Sequence, residues 1–324
     1  LPEIDAVMIS FVEFYKHPSV YDKAVEQGLH EFIGVPKNVQ IYLDNGAFYF
    51  LSNGGKVPRK KYEKFVEGAK PDWYAIPQDY IPTPKMNNRE QRSCLNRTMQ
   101  VNREYAYDGY VPVIHISRFL EEYLSLFLEN EKLIKKPIVG LGGIVPNLLR
   151  AQKALPYQHV LDMVMRVRKE LNNHEIHVFG VGGTATLHLA ALLGIDSVDS
   201  SGWRNRAARG IIQLPGKGDR ATANLGNWKI KPLSKDERES LAKCQCPACQ
   251  QFGIKGFKAK GSKGFNNRAT HNLWVLLEEA KQIDHHLTRK TYQTWYKDHV
   301  VNSIYRPLID YVLENQNDKN STKQ

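Results

Sequence analysis

The sequence lacks any hydrophobic run long enough to cross a bilayer. Its apolar run from Ala6 to Val12 has no basic leader and no small-residue cleavage pattern, so we expect a soluble, cytoplasmic protein without a membrane partner. Cysteine is scarce, with 4 in 324 residues, and Cys244, Cys246 and Cys249 lie close together. That spacing is poor for disulfides and good for a metal, which favours a reducing compartment.

Acidic residues are in deficit. Lys and Arg number 45 against 34 Asp and Glu, so the formal net charge is +11. The 42% hydrophobic and 24% charged residues are typical of an ordinary globular protein, which excludes a disordered, collagen-like or fibrous chain. A basic surface attracts polyanions, so nucleic acid is the expected partner, with a merely soluble basic protein as the alternative.

Short apolar, β-branched runs recur at fairly even intervals, and helical patterns follow them. They lie at 6–12, 40–44, 73–77, 110–116, 138–141, 176–182 and 195–199, with an eighth near 208–214. This alternation predicts an α/β fold with a parallel sheet, and we expect a (β/α)8 TIM barrel. In such a barrel the active site forms at the C-terminal ends of the strands.

The composition changes after the eighth run, where Lys, Gly, Asn and Cys accumulate. We therefore expect a zinc-binding insert near the C-terminus, followed by closing helices over 273–283 and 287–313. The polar end of the chain is expected to be a flexible tail. The predicted domains are 1–215 for the barrel strands and helices, 216–271 for the insert, 272–314 for the closing helices and 315–324 for the tail.

Three clustered thiols and one histidine form a complete set of metal ligands. Cys244, Cys246 and Cys249 precede His271, which starts a helical pattern. Three Cys and one His satisfy a tetrahedral ion and leave no open position, so we expect structural Zn²⁺ and consider a metallohydrolase a weaker alternative. Cys94 stands alone and is expected to be an ordinary buried thiol.

Two basic groups are candidates for phosphate contacts. The segment 255–268 carries five cations, two aromatic residues and no acid, so it is predicted to be a flexible cationic loop that binds nucleic acid or, equally, a solvated loop. A second group follows the seventh run. The candidate nucleic-acid-binding residues are Lys258, Lys260 and Lys263 in the first group and Arg204, Arg206 and Arg209 in the second.

Three aspartates lie at predicted strand ends, namely Asp44, Asp79 and Asp199. Two carboxylates that face one anomeric carbon suit glycosyl transfer by double displacement, in which one is the nucleophile and the other moves protons. An aspartate taken alone is more often a turn or helix-cap residue. The joint pattern favours the catalytic interpretation.

These motifs resemble the tRNA-guanine transglycosylases, zinc-containing barrels that exchange guanine for a 7-deazaguanine in a polynucleotide. The resemblance covers most of the chain, and its most specific part is Cys-x-Cys-x-x-Cys with the later His271. The segment that ends at Asp199 is similar to the family's nucleophile segment, and Leu43–Phe48 resembles the family motif that carries the acid/base aspartate. The resemblance implies that Asp199 is the nucleophile and Asp44 the general acid/base.

The resemblance also implies a set of residues that bind the base. These are Asn45, Phe48, Asp79, His115, Gly142 and Gly143. The family would flip the target nucleotide out of its stack, since C1′ is unreachable inside a helix.

Three departures from the family pattern affect the expected substrate. Asn45 replaces the usual Ser, His115 the usual Gln, and Ser200–Arg204 the usual Cys-Val-Leu-Pro-Thr-Arg run. They resemble the DNA-modifying branch, so we expect a DNA guanine transglycosylase that inserts 7-cyano-7-deazaguanine (preQ0) into DNA. The alternatives are a tRNA-guanine transglycosylase and a non-catalytic nucleic-acid-binding subunit. A homodimer and helper proteins stay open.

Overall fold

The structure of the chain is a computed structural model that describes residues 4–78, 80–148, 153–226, 229–301 and 304–321. The chain is divided into two compact units. The N-terminal unit spans Ile4–Phe179, and the C-terminal unit begins at Gly180. Among the described residues, no helix combines the length and the apolar character that a membrane crossing needs.

The N-terminal unit alternates strands with helices. Its strands are β1 (Ala6–Ser10), β2 (Gln40–Asp44), β3 (Trp73–Ala75), β4 (Tyr110–Val111), β5 (Val113–His115), β6 (Ile138–Gly142) and β7 (Glu175–Val178). Its helices are α1 (Phe11–Tyr15), α2 (Pro18–Gln27), α3 (Leu29–Ile33), α4 (Ala47–Ser52), α5 (Arg59–Ala69), α6 (Asn88–Glu104), α7 (Leu120–Leu128), α8 (Val145–Leu148) and α9 (Tyr157–Glu170).

The strands of this unit pair in parallel. One sheet has the order β1-β2-β3-β4, and in a second sheet β5, β6 and β7 are neighbours. The register pairs Ser10 with Asp44 and His115 with Gly142, so polar side chains lie at the C-terminal ends of neighbouring strands. The predicted α/β fold with parallel strands is confirmed.

Pro112 divides the run predicted as one strand over 110–116 into β4 and β5. Proline has no N–H to donate, so a ladder cannot continue through it unchanged. Its carbonyl still accepts a 2.8 Å hydrogen bond from the amide of Gly140, and the carbonyl of Val111 accepts one of 3.2 Å from Ile76. The segment therefore accepts hydrogen bonds from the residue that follows β3 on one side and from β6 on the other.

Aromatic residues fill the core between the helices and the first sheet. Phe11, Tyr62 and Phe65 are fully buried, and the rings of Phe11 and Tyr62 meet edge to face with centroids 5.2 Å apart. The Tyr62 hydroxyl donates to the carbonyl of Ala75 at 2.7 Å, which satisfies its polar end. Each such buried side chain contributes about 1.5–3 kcal/mol. This packing fixes the ends of β2 and β3, where the candidate site lies.

The C-terminal unit is mainly helical. Its elements are α10 (Thr186–Leu192), β8 (Ser197–Val198), α11 (Gly202–Ala208), β9 (Ile211–Leu214), β10 (Gly218–Ala221), α12 (Lys235–Ala242), α13 (Pro247–Lys258), α14 (Gly261–Thr288), α15 (Tyr292–His299) and α16 (Arg306–Ser321). The run predicted near 208–214 is strand β9, which pairs antiparallel with β10. Gly216 has a φ of +59° in the tight turn that joins them, a conformation that glycine adopts without strain.

The basic segment 255–268 is helical apart from Ala259 and Lys260, so the predicted flexible loop is wrong. Helix α13 continues to Lys258, and α14 begins at Gly261, well before the predicted start at residue 273. Close packing explains one glycine of this segment. A Cβ on the buried Gly264 would lie 1.8 Å from the carbonyl oxygen of Ala259.

Arg268 connects three parts of the C-terminal unit. It is 1% exposed, and its guanidinium donates to the carbonyls of Ala207 at 2.7 Å, of Phe257 at 2.5 Å and of Ala259 at 3.1 Å. Burial lowers its pKa from the usual value. The side chain thus joins the end of α11 to the junction between α13 and α14, which carry the candidate phosphate-binding residues.

Candidate active site

A pocket opens at the strand ends of the N-terminal unit and has an empty volume of about 470 Å³. The ends of β2, β5 and β6 contribute to its wall, as expected for a site at C-terminal strand ends. The predicted site residues that line it are Asp44, Asn45, Phe48, His115, Gly142 and Gly143. Asp79, also predicted there, lies outside the described residues.

Asp44 is the last residue of β2, and its carboxylate is held by its neighbours. Oδ2 accepts hydrogen bonds of 3.0 Å from the Ser10 hydroxyl and from the amide of Gly46. Gly46 has a φ of +75°, and a Cβ there would lie 2.3 Å from the Val12 side chain. Glycine is thus required at the turn that aims its amide at Asp44.

Asn45 is buried and binds the main chain on three sides. Its Nδ2 donates to the carbonyls of Ile76 at 2.6 Å and Gln78 at 3.1 Å, and its Oδ1 accepts from the amide of Ala47 at 2.8 Å. Both amide hydrogens are therefore used within the protein. The side chain connects the end of β2 to the segment after β3 and shapes the pocket wall.

His115 is the most unusual polar group of the pocket. It is 2% exposed, and neither ring nitrogen has a hydrogen-bond partner among the residues that the structure describes. Burial lowers the pKa of His115 from 6.5 to about 3, so the imidazole is neutral near pH 7. A neutral imidazole has one N–H donor and one acceptor nitrogen. A buried polar group without partners costs about 1–3 kcal/mol, which a bound polar ligand can recover.

Gly142 at the end of β6 and Gly143 after it allow the chain to approach His115 and its neighbours closely. A Cβ on Gly142 would lie 2.6 Å from Nδ1 of His115, and one on Gly143 would lie 2.5 Å from the carbonyl oxygen of Ile116. Gly143 also has a φ of +78°. Larger residues would therefore move the imidazole or the strand.

Phe48 is 53% exposed at the pocket, although it is a large apolar residue in α4. The nearby Tyr80 lies under the guanidinium of Arg97 at 5.1 Å and is not a pocket-lining residue. Sequence reasoning did not assign a role to Gln78 or Phe179, which also line the pocket. The position of Gln78 beside Asp79, at a predicted strand end, was the available signal.

Asp199 follows β8 in the C-terminal unit and is half-buried. Its Oδ1 accepts a 2.8 Å hydrogen bond from the amide of Gly180. Ser200, the next residue, donates from its hydroxyl to the carbonyl of Gly182 at 3.0 Å. A Cβ on Gly182 would lie 2.2 Å from the Ser200 Cβ, so the glycine-rich turn packs directly on this segment. The Gly180 amide thus holds one carboxylate oxygen, and the Ser200 contacts hold the segment that carries it.

The candidate phosphate-binding residues all lie on helices of the C-terminal unit or at their ends. Those with exposed side chains are Arg204, Arg209, Lys258, Lys260 and Lys263. Arg206 differs, because its Nε donates to Oδ1 of Asp219 at 2.7 Å. That ion pair ties α11 to β10 and reduces the net positive charge that Arg206 contributes.

Cys244, Cys246, Cys249 and His271 converge on one point, as predicted, and can hold a metal ion. Their sulfurs lie 3.9, 3.4 and 3.4 Å from Nδ1 of the imidazole, in that order. A tetrahedral zinc ion with bonds of about 2.3 Å to sulfur and about 2.05 Å to nitrogen separates these ligand atoms by about 3.6 Å. The four residues therefore fit zinc.

The remaining nitrogen of His271 has its own partner. Nε2 lies 3.0 Å from the carbonyl oxygen of Gln213 in β9. A carbonyl accepts only, so the proton is on Nε2 and Nδ1 is free to bind a metal. The amide of Cys249 also donates to the sulfur of Cys246 at 3.2 Å, which orients that sulfur.

The sequence profile of a family described as Queuine tRNA-ribosyltransferase matches residues 3–303. The chain belongs to this family. Several relatives bear the name tRNA-guanine(15) transglycosylase. The protein of Pyrococcus abyssi is 25% identical over 289 residues, which are 86% of this chain and 45% of that protein. The protein of Haloferax volcanii is 27% identical over 274 residues, which are 81% and 48% of the two chains.

This chain thus spans less than half the length of these two relatives. The expectation of DNA modification with preQ0 is wrong, because the relatives across archaea are named for tRNA. Two of the departures that suggested DNA have internal roles. Asn45 bonds to the main chain around β3, and Ser200 bonds to the carbonyl of Gly182.

Proposed function

We propose that this chain exchanges guanine for a 7-deazaguanine base in tRNA, as a pentosyltransferase. The observation that carries the proposal is a pocket in which the carboxylate of Asp44 lies with the neutral, buried His115, whose two nitrogens have no partner among the described residues. A purine-like base offers donors and acceptors for such nitrogens. The names of the relatives support tRNA as the polynucleotide.

In the first half-reaction, Asp199 is the nucleophile. A carboxylate oxygen forms a bond to C1′ of the ribose while the bond from C1′ to N9 of guanine breaks, and Asp44, as the general acid, donates its proton to the leaving N9. The amide of Gly180, bonded to Oδ1 at 2.8 Å, orients the carboxylate. The product of this step is a covalent glycosyl-aspartate.

In the second half-reaction, Asp44 accepts the proton from N9 of the incoming base. N9 then attacks C1′, and the bond to Asp199 breaks, which regenerates the carboxylate. Two inversions give net retention, and no nucleotide triphosphate is needed. The hydrogen bonds from Ser10 and Gly46 hold Asp44 as the acceptor.

The remaining pocket residues would bind the base. His115 would hydrogen-bond to its edge, Gly142 and Gly143 would offer main-chain groups, and Phe48 would stack on its face. Asn45 would shape the wall, since its amide hydrogens bond to the main chain. Asp79 stays a prediction as a further base-binding residue.

We propose that Zn²⁺ in the Cys3His cluster is structural, because four protein ligands leave no open position. The need for reduced thiols supports a cytoplasmic location. The parallel ladders of the N-terminal unit support the proposed (β/α)8 barrel. The domain bounds 1–215, 216–271, 272–314 and 315–324 stay proposals.

The test is incorporation of radiolabelled guanine into tRNA and DNA side by side. We expect label in tRNA only, and we expect Asp199→Asn and Asp44→Asn each to reduce it by about 10³-fold or more. Asp22→Asn, the same change on the exposed face of α2, is the matched control and should retain activity. Label in DNA alone would contradict the proposal. Binding of tRNA without label in either polymer would indicate the non-catalytic subunit instead.

A further inference from the structure

A second cluster of metal-binding groups lies in the C-terminal unit, apart from the cysteines. It consists of His188 on α10, Glu279 on α14 and His299 at the end of α15. One ligand atom from each lies within 4.8 Å of the other two. The Nε2 atoms of His188 and His299 lie 2.9 and 2.7 Å from the same oxygen, Oε1 of Glu279.

The cluster is buried. The side chains of His188 and Glu279 are 0% and 1% exposed, and that of His299 is 20% exposed. An isolated carboxylate at this depth is costly, so its charge needs a cation or protonated partners. The partial exposure of His299 places one side of the cluster near solvent.

The surroundings orient both imidazoles. Nδ1 of His188 lies 2.7 Å from the hydroxyl of Tyr292, which can accept its proton. The ring of Trp295 stacks on His299 with centroids 4.4 Å apart and on His188 at 5.5 Å. Partners that fix the tautomer and the ring plane of a histidine are typical of metal ligands.

We infer that His188, Glu279 and His299 form a second binding site for a divalent zinc ion. Two neutral imidazoles and one carboxylate are ligands that zinc accepts, and they leave a fourth position for water. Magnesium and calcium prefer oxygen ligands and fit this set poorly. The ion would replace the hydrogens between the histidines and Glu279, with the imidazole protons on Nδ1.

The geometry needs only a small adjustment. A tetrahedral zinc ion with bonds of about 2.05 Å separates its ligand atoms by about 3.3 Å. The present separations of 2.9 and 2.7 Å are those of hydrogen bonds. A withdrawal of Glu279 by about 0.5 Å would therefore bring both of its distances to the histidines to those of zinc ligands.

The site would connect the helix that follows the Asp199-binding turn to the helix that carries a ligand of the cysteine cluster. Helix α10 follows the turn whose Gly180 amide holds Asp199, and α14 carries both Glu279 and His271 of the cysteine cluster. Zinc at the second site would therefore restrain the helix next to the nucleophile segment. Water in the fourth position is not required for this restraint.

The first experiment counts zinc in the purified protein after dialysis against free zinc. We expect about two equivalents per chain in the wild type, and about one in Glu279→Gln and in His299→Gln. His285→Gln removes an exposed imidazole from the same helix and should retain about two. If Glu279→Gln does not fold, the more exposed His299→Gln still decides the question. A wild type that holds about one equivalent would overturn the inference.

A second experiment identifies the ligands. The zinc-loaded protein is incubated with Co²⁺, which should exchange first into the site with three protein ligands. We expect visible d–d absorption without the near-ultraviolet thiolate-to-cobalt band, and His299→Gln should abolish it. Cobalt absorption that always carries the thiolate band would place the metal at the cysteines alone and refute the second site.

Discussion

A Cβ built on Gly142, the last residue of β6, would lie 2.6 Å from Nδ1 of His115. Glycine is needed at this position because the imidazole occupies the space that a side chain would fill. The register pairs these two residues across the β5–β6 ladder. The position of the proposed base-reading group is therefore set by the backbone of the neighbouring strand.

Gly142→Ala should displace the imidazole and weaken guanine binding. Overpacking of this kind costs about 1–3 kcal/mol, and a loss of that size in ligand binding raises KM about 5- to 150-fold. Steady-state guanine exchange and urea unfolding measure the two effects. Gly55→Ala, at an exposed position where the nearest atom is 3.6 Å away, is the matched control. An unchanged KM in Gly142→Ala would remove His115 from the binding surface.

The buried His115 should make the protein less stable in acid. In the folded state its pKa is about 3, whereas in the unfolded chain it is near the ordinary 6.5. Between these two pKa values the unfolded state binds more protons than the folded state. The contribution of His115 to the free energy of unfolding is therefore fully present above pH 6.5, and below that pH it falls by up to about 1.4 kcal/mol per pH unit.

The measurement is the free energy of unfolding from pH 7 to pH 4 in the wild type and in His115→Gln. Glutamine does not titrate, so the slope of the wild type should exceed that of the variant by about one proton. Equal slopes would show that His115 is not buried in its neutral form.

Cys246→Ser should lower zinc content and stability together. The fully buried thiol is one of four ligands, and metal binding to such a site is coupled to folding. We expect a loss of about one zinc equivalent and of at least about 3 kcal/mol. Cys94→Ser, a change of the half-buried thiol on α6, should leave the zinc content unchanged. Full zinc content in Cys246→Ser would reject the assignment.

The three exposed lysines of α13, α14 and the junction between these helices should contribute to the salt dependence of tRNA binding. Replacement of Lys258, Lys260 and Lys263 by Gln should reduce the slope of log K against log salt by about 2 to 3. The control replaces the exposed Lys60, Lys61 and Lys64 of α5 by Gln, which removes the same charge. Equal slopes of log K against log salt for the two triple variants would contradict phosphate contacts by Lys258, Lys260 and Lys263.

Much of the fold could be predicted because it depends on local pattern. The run 40–44 was identified with the bounds that β2 has, and it ends at Asp44. The cysteine cluster could also be predicted, because three of its ligands lie within one short stretch of sequence. In both cases the decisive information is contained in neighbouring residues.

Other features depend on contacts between distant residues. The second cluster was missed because His188 and Glu279 are 91 residues apart, and neither has a neighbour that suggests a ligand. The substrate was misjudged because Asn45 and Ser200 were interpreted as departures from the family pattern that indicate a DNA substrate. Their hydrogen bonds show that they hold the chain together. A sequence pattern does not distinguish these two uses of a polar side chain.

Helix α14 carries His271 and Glu279, which are eight residues apart on 28 continuous helical residues. Successive residues of an α-helix are related by a rotation of about 100° around the helix axis and a rise of about 1.5 Å along it. An insertion or deletion of one residue between the two would therefore rotate one cluster away from its partners, while most substitutions there would not. The two clusters therefore constrain the number of residues between His271 and Glu279 more than the identity of those residues.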